Sequence, residues 1–220
     1  MINLETKVRV CRVQDLGLID YLDAYQVQLK CVEAALREDQ QTILFCEHPA
    51  VLTMGRLAED RHILYSKEIL AQRGISVHRI DRGGEVTLHA PGQWVIYPIL
   101  NLNYWKKDLH QYLSGLEEVA IDLLKDFGIV ATRNFGKTGV WVGQDKIVSM
   151  GVGVKKWITY HGLAININTD LNLFSLIRPC GLDVHMTSMA KQLCREISIK
   201  EVKERLISKF AQHFDLKIIS

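Results

Sequence analysis

The stretch RGGEVTLHAPGQ at residues 82–93 runs directly into the apolar segment WVIYPIL at residues 94–100. Its two adjacent glycines allow positive φ and a close approach of the backbone to a ligand, and its Pro-Gly pair predicts a second bend. Between the bends, residues 85–89 alternate as a short strand. This pattern alone predicts a hairpin beside an apolar strand. Further downstream, Lys146 and the segment Pro179-Cys180-Gly181-Leu182 carry reactive side chains. With them, the sequence indicates a ligand site where the glycine-rich turn meets the apolar strand.

Strands and a few long helices follow one another along the rest of the chain. Predicted strands occupy residues 8–13, 42–46, 51–54, 76–80, 94–100, 129–133, 139–142, 146–154 and 157–168. Predicted helices occupy residues 20–37, 66–72 and 108–127, and a last helix opens at a capping box of Ser198 and Glu201. Because strands and helices do not alternate strictly, the pattern indicates an α+β domain whose sheet is mixed or largely antiparallel, with flanking helices.

The two long predicted helices each carry an apolar face. In residues 20–37, steps of three and four predict a core stripe of Leu22, Tyr25, Leu29, Val32 and Leu36. In residues 108–127, a broader face ends at Gly128, which predicts the helix stop; it consists of Leu109, Tyr112, Leu113, Leu116, Val119, Ala120, Leu123, Leu124 and Phe127.

Composition bounds the class of protein. The 220 residues are 48% apolar and 24% charged, so we expect one globular domain spanning residues 1–220 with a substantial core. A net charge of +2 is too small to indicate binding to nucleic acid or to an anionic membrane. The five cysteines are unclustered and have no partner at metal-ligand spacing, which predicts reduced thiols, no metal and a cytoplasmic location.

Two short motifs fail the tests for nucleotide binding. The tripeptide at residues 136–138 resembles the end of a P-loop, but Ala131 stands where the first glycine must be. The glycines at 151 and 153 lack the third glycine of a dinucleotide fingerprint, because position 156 is lysine. A papain-like pairing of Cys180 with His161 also lacks the local signature and chain order of that class.

A set of ordered motifs resembles the octanoyl transferases of lipoate biosynthesis over roughly residues 20 to 210. The matching segments are Glu47-His48-Pro49, Thr53-Met54-Gly55-Arg56, residues 82–93, Tyr97-Pro98-Ile99, Gly139-Val140-Trp141-Val142, Lys146-Ile147, residues 157–166, Pro179-Cys180-Gly181 and Thr187-Ser188. The resemblance implies the biotin/lipoate protein ligase catalytic fold and an enzyme that needs no cofactor. It also implies octanoyl-acyl carrier protein as donor. The implied acceptors are lipoyl-domain proteins such as glycine cleavage H protein and 2-oxoacid dehydrogenase E2 subunits.

The resemblance also implies the site residues. Cys180 is the expected nucleophile, because a thiol exchanges readily with a thioester and leaves an acyl group still reactive toward nitrogen. Lys146 is the expected cation that favours the thiolate or accepts a proton. Three segments are expected to bind the acyl and pantetheine groups: Arg82, Gly83, Gly84, Glu85, Val86, Thr87, Leu88 and His89; Ser149, Met150 and Gly151; and Gly162, Leu163 and Ala164. Small residues at 151, 162 and 164 suit either an acyl tunnel or close strand packing.

Two positions depart from the family pattern, which usually has an aromatic residue where Leu88 stands and glycine where Ala90 stands. Alanine at position 90 would be strained if positive φ were required there. Two other functions fit the same motifs. One is an ATP-dependent lipoate or biotin ligase of the same fold, for which residues 82–84 make a poor adenylate loop. The other is a non-catalytic protein that binds acyl carrier or lipoyl domains, against which Lys146 and Cys180 count.

Overall fold

A computed structural model describes residues 9–178 and 184–219. Its strands are β1 (Arg9–Leu18), β2 (Gln41–Glu47), β3 (Val51–Met54), β4 (Ser76–Arg79), β5 (Val86–His89), β6 (Gln93–Ile99), β7 (Thr132–Asn134), β8 (Lys137–Val142), β9 (Asp145–Lys155), β10 (Ile158–Asn166) and β11 (Leu216–Ile219). Its helices are α1 (Tyr21–Glu38), α2 (Lys67–Gln72), α3 (Leu109–Asp126), α4 (Met189–Leu193) and α5 (Ile199–Phe214).

The described strands form two sheets. The larger has the order β11-β1-β2-β6-β10-β9-β8-β7, and the smaller has the order β4-β3-β5. Strand β1 pairs in parallel with both β2 and β11, whereas β6, β8, β9 and β10 pair antiparallel with their neighbours. The predicted α+β class with a mixed sheet is confirmed. Because β1 and β11 are neighbours, both ends of the described chain lie in one sheet, and a single domain stays our prediction.

Helices cover the large sheet on two sides. Helices α3 and α5 pack over one side, where Leu116, Leu123, Leu206 and Phe210 are fully buried with the strand residues beneath them. Helix α1 covers a second cluster on β2, β6 and β10, and the small sheet has its own cluster around Leu52 and Leu88. The site described below lies between the small sheet and β9–β10 of the large one.

Most predicted elements are confirmed, including the helix start at Ser198, whose side chain accepts from the backbone N–H of Glu201. Strand β11 and helix α4 were not predicted, and the strand expected over residues 129–133 begins only at Thr132. Among residues 9–178 and 184–219, no helix combines the length and apolar character needed to cross a membrane.

The predicted core stripe of α1 is wrong at its ends. Leu22 and Leu36 are exposed, and the buried face is Tyr21, Ala24, Gln28, Val32 and Ala35. The reason is polar: Gln28 is fully buried, and its side-chain oxygen accepts the backbone N–H of His161 at 2.8 Å. The spacing of apolar residues gives no sign of a helix face whose orientation is set by a buried polar contact. In α3 the broad face is confirmed except at Leu109, which is exposed, and at Leu113, which is half-buried and lines the outer cavity described below.

Candidate active site

The glycine-rich loop at residues 82–85 is anchored on both sheets. The buried Arg82 guanidinium, 7% exposed, donates to the backbone oxygen of Thr53 on β3 at 2.6 Å and to its hydroxyl at 3.0 Å. The N–H of Gly83 donates to the carbonyl of Val152 on β9 at 2.9 Å. The loop is therefore fixed across β9 and forms a wall over that strand.

Two adjoining cavities lie beneath this wall. The inner cavity is narrow, about 40 Å³, and the outer cavity is about 380 Å³. They share five lining residues: Arg82, Thr87, Ser149, Met150 and Gly151. All three segments expected from the sequence line the inner cavity, which the loop, β9 and β10 enclose together.

The predicted site residues divide between the cavities. Those that line only the inner cavity are His89, Gly162, Leu163 and Ala164; those that line only the outer one are Gly83, Gly84, Glu85, Val86 and Lys146. Leu88 lines neither, because its side chain is fully buried in the core of the small sheet. Cys180 lies outside the described residues. Ala90 is buried and does not have positive φ, so alanine there is not strained.

Close packing explains two of the three small residues. A Cβ on Gly151 would lie 2.7 Å from the carbonyl oxygen of Gly83, so the loop can approach β9 only over glycine. A Cβ on Gly162 would overlap the carbonyl oxygen of Ile96 and lie 2.7 Å from Cδ of Pro98. Backbone contact therefore requires glycine at 151 and 162, although both residues also line the inner cavity.

Lys146 enters the outer cavity from the start of β9. It is 9% exposed, and its Nζ lies 5.3 Å from the centroid of the Trp141 ring, within the range of a cation–π contact. Its aliphatic stem lies against the backbone of Gly139, where a Cβ would come within 2.5 Å of the lysine Cε. The ammonium group is thus held in a fixed place between two residues of β8.

The chain on both sides of residues 179–183 is attached near this cavity. The N–H of Arg178 donates to the carbonyl of His62 at 2.8 Å, and the His62 imidazole lies 3.2 Å from the carboxylate of Glu85 in the loop. After the gap, the N–H of Lys146 donates to His185 O at 2.9 Å. Val184 and Met186 line the outer cavity with Lys146.

A polar network, which the sequence did not indicate, supports the inner cavity. The carboxylate of Asp81 accepts from His161 Nε2 at 2.9 Å, from the Tyr160 hydroxyl at 2.6 Å and from the Tyr25 hydroxyl at 3.0 Å. These bonds, the one from His161 above all, hold the pKa of Asp81 well below its usual range. Burial lowers the pKa of His161, which is 1% exposed and has the rare φ of 55°.

Hydrogen-bond partners fix the tautomers of the histidines at this end. His161 donates from Nε2 to Asp81, so its neutral ring accepts at Nδ1, which lies 3.5 Å from the Tyr21 hydroxyl. His48 donates from Nδ1 to a backbone carbonyl at 2.8 Å and accepts at Nε2 from Tyr97 at 2.8 Å. Burial lowers the pKa of His48 and, still further, that of His89. The two histidines that line the inner cavity, His89 and His161, therefore favour the neutral form.

Comparison with known proteins identifies the family. The lipoyl protein ligase A/B catalytic domain family matches residues 20–211. Octanoyltransferase of Solibacter usitatus is 43% identical over 215 residues, covering 96% of each chain. Octanoyltransferase of Caldanaerobacter subterraneus is 42% identical over 207 residues, covering 93% of this chain and 90% of that protein. The chain belongs to the octanoyltransferase family.

Comparison with a solved structure supports the fold of this octanoyltransferase. A bi-partite lipoate protein ligase from Thermoplasma acidophilum superposes with a TM-score of 0.74 at 16% identity, covering 96% of this chain and 88% of that one. The predicted family, the lipoate ligase-like fold and the predicted acyltransferase class are confirmed. At this identity the ligase shows the common fold alone. Sequence reasoning did not predict a role for Asp81, Tyr21 or Tyr97. Position gave the only signal for two of them: Asp81 directly precedes the glycine-rich loop, and Tyr97 lies in the matching segment Tyr97-Pro98-Ile99.

Proposed function

We propose that the chain transfers an octanoyl group from acyl carrier protein to a lysine of lipoyl domains through a thioester on Cys180. The observation that carries this proposal is the buried, immobilised Lys146 in a cavity that the glycine-rich loop and β9 enclose. A desolvated ammonium stabilises an adjacent thiolate strongly, because its field is little screened there. Val184 and Met186, which follow Cys180 in the chain, line the same cavity and support the assignment.

The proposed reaction has two balanced steps. The Cys180 thiolate attacks the carbonyl carbon of the donor thioester, and the pantetheine sulfur leaves and takes up a proton from the Lys146 ammonium, which becomes neutral. The amine of the acceptor lysine then attacks the Cys180 thioester, and the Cys180 sulfur leaves as a thiolate. The attacking amine loses one proton, for which Lys146 in its neutral form is the proposed acceptor.

The described cysteines differ in how well they would serve as nucleophiles. Burial raises the pKa of Cys11 to about 12 and also raises that of Cys46 and Cys31. A thiol with so high a pKa is almost entirely protonated near pH 7 and reacts slowly. Cys194 is exposed at the end of α4 and lines neither of the two cavities described above. These environments favour Cys180, whose family motif is complete, as the acylated residue.

The lining of the two cavities suggests which part of the octanoyl donor each would bind. Because Lys146 lines only the outer cavity, we place the thioester and the pantetheine arm there, against residues 83–86 and 149–151. The methyl end of the octanoyl chain then enters the inner cavity, between Thr87 and His89 on one side and residues 162–164 on the other. Acyl carrier protein as donor, lipoyl domains as acceptors and a cytoplasmic location belong to this proposal.

Mass mapping of the acyl adduct tests the proposal directly. The protein is mixed with octanoyl-acyl carrier protein without acceptor, digested at low pH and analysed by peptide mass spectrometry. We expect one octanoyl group, on the peptide that contains Cys180. Cys194→Ser is the matched control, because it removes the exposed thiol most open to adventitious acylation. Acylation of another cysteine, or of none, would refute the intermediate.

The source of free energy for amide formation distinguishes the proposed acyltransferase from an ATP-dependent ligase. A thioester already carries enough free energy for amide formation, so transfer from octanoyl-acyl carrier protein should proceed with no nucleotide and with magnesium chelated. Free octanoate plus ATP should give no product. If transfer stopped when nucleotide was removed, the protein would be a ligase and the proposed acyltransferase activity would be refuted. A protein that binds the donor but transfers nothing under either condition would be the non-catalytic alternative.

A further inference from the structure

We propose that Glu117 of α3 is a positioning residue for Lys146, acting through the backbone of Gly139. This inference rests on the role proposed for Lys146 above. Glu117 does not line either cavity, and the sequence suggested no role for it. Three features of the described structure carry the inference: a buried carboxylate, a backbone amide outside the strand ladder, and a lysine stem that has no room to move toward that amide.

Glu117 is a charged residue in the middle of an otherwise apolar helix face, and it is 8% exposed. Its Oε1 accepts the backbone N–H of Gly139 at 3.0 Å, and its Oε2 accepts Nε of Arg133 at 3.0 Å. Arg133 also donates to the neighbouring Glu118 and to the carbonyl of Ser114. A buried carboxylate is costly to leave unpaired, so this one is held in place by both of its donors.

Gly139 occupies an irregular point of β8. Its φ is +121°, and the register between β8 and β9 shifts between Val140 and Trp141. At this irregular point the amide of Gly139 donates to the Glu117 side chain. Without Glu117, a buried backbone N–H would lose its acceptor, at a cost that favours rearrangement of this part of β8.

Lys146 depends on the position of that backbone. A Cβ on Gly139 would lie 2.5 Å from Cε of Lys146 and 3.2 Å from its Nζ, so the bare glycine backbone is in contact with the end of the side chain. Trp141, two residues further along β8, contributes the ring 5.3 Å from the same Nζ. Glu117 thus fixes the strand that supports the ammonium group, and a shift of Gly139 moves that group within the outer cavity.

Glu117→Leu and Glu118→Leu form a matched pair, because both remove a carboxylate from Arg133 and only the first removes the acceptor of Gly139. Each is made in the Cys194→Ser background, and the alkylation rate of Cys180 is followed against pH by peptide mass spectrometry. We expect Glu117→Leu to move the profile about one unit to higher pH and to lower kcat about tenfold with KM unchanged. Glu118→Leu should leave the profile at its original pH.

Two further variants keep the test decisive. Glu117→Gln retains an oxygen acceptor for Gly139 and should restore the original profile. Glu117→Asp keeps the charge but shortens the side chain, so it should shift the profile as leucine does, even if Glu117→Leu does not fold. An unshifted profile in both Glu117→Leu and Glu117→Asp, or equal shifts in the Glu117 and Glu118 variants, would overturn the inference. If Lys146→Met also leaves the profile unshifted, the role proposed for Lys146 fails instead.

Discussion

Removal of the Asp81 carboxylate should destabilise the protein through the polar network behind the inner cavity. In Asp81→Ala, three donors lose one acceptor: His161 Nε2, the Tyr160 hydroxyl and the Tyr25 hydroxyl. His161 is 1% exposed, so loss of the carboxylate leaves its N–H without a protein acceptor, and an unsatisfied group of this kind costs about 1–3 kcal/mol. Asp81 itself is 43% exposed, so water can reach the two hydroxyls, which add less.

We therefore expect Asp81→Ala to lower the free energy of unfolding by about 2–3 kcal/mol, which is a fall in Tm of about 4–12 °C for a chain of this size. Thermal and urea unfolding at pH 7 measure it. Tyr25→Phe is the matched control, because it removes one half-buried hydroxyl from the same carboxylate and should cost about 1 kcal/mol or less. If Asp81→Ala were no less stable than Tyr25→Phe, the bond to His161 would contribute nothing and the reasoning would be refuted.

Three other predictions concern the lysine, the loop and the histidines. Lys146→Met should move the alkylation profile of Cys180 about one to three units to higher pH, whereas Lys146→Arg should permit acylation but block transfer to the acceptor amine; an unchanged profile and normal transfer in Lys146→Met would contradict the activated thiol. Gly151→Ala should cost about 1–3 kcal/mol and raise KM, because its Cβ would lie 2.7 Å from the carbonyl oxygen of Gly83; full thermal stability would show that the loop can move aside. Burial is the main cause that lowers the pKa of His89, so below a pH of about 6.5 the unfolded chain binds more protons than the folded protein. The free energy of unfolding should therefore fall, as the pH falls, by up to about 1.4 kcal/mol per pH unit. If His89→Gln shows the same dependence of stability on pH as the wild type, this histidine is not its cause.

The elements of the fold could be predicted because their signals are local. The long helices and most strands follow from spacing within a few residues, and the helix start at Ser198 follows from two side chains. Strand β11 was missed because its four residues follow α5 directly and pair only with β1, at the other end of the chain. No local pattern distinguishes such a strand from a frayed terminus.

The polar network could not be predicted, because each of its bonds joins distant parts of the sequence. Tyr25 and Asp81 are 56 residues apart, Tyr160 and Asp81 are 79 apart, and Tyr21 and His161 are 140 apart. Hydropathy gives no signal for such residues, whose hydrogen bonds are made to one another at the edge of the core. The loop residues could be located because they lie side by side in one motif, and Leu88 was placed in the site only because it belongs to that motif.

A chain of hydrogen bonds connects the two ends of the site through the motifs that revealed the family. His89, in the inner cavity, bonds at Nδ1 to Gln93 Oε1 at 2.8 Å, and Gln93 Nε2 donates to Asn166 Oδ1 at 2.9 Å. Asn166 then donates to Thr187 O at 3.0 Å, and the Thr187 N–H donates to Lys146 O at 2.9 Å. Because each of these groups is buried and bonded, the separation between the inner cavity and Lys146 is rigid. A fixed separation between the reactive end and the inner cavity would limit the length of the acyl chain that fits. In the proposed function, selection for chain length would therefore reside in this bonded frame as well as in the residues that touch the chain.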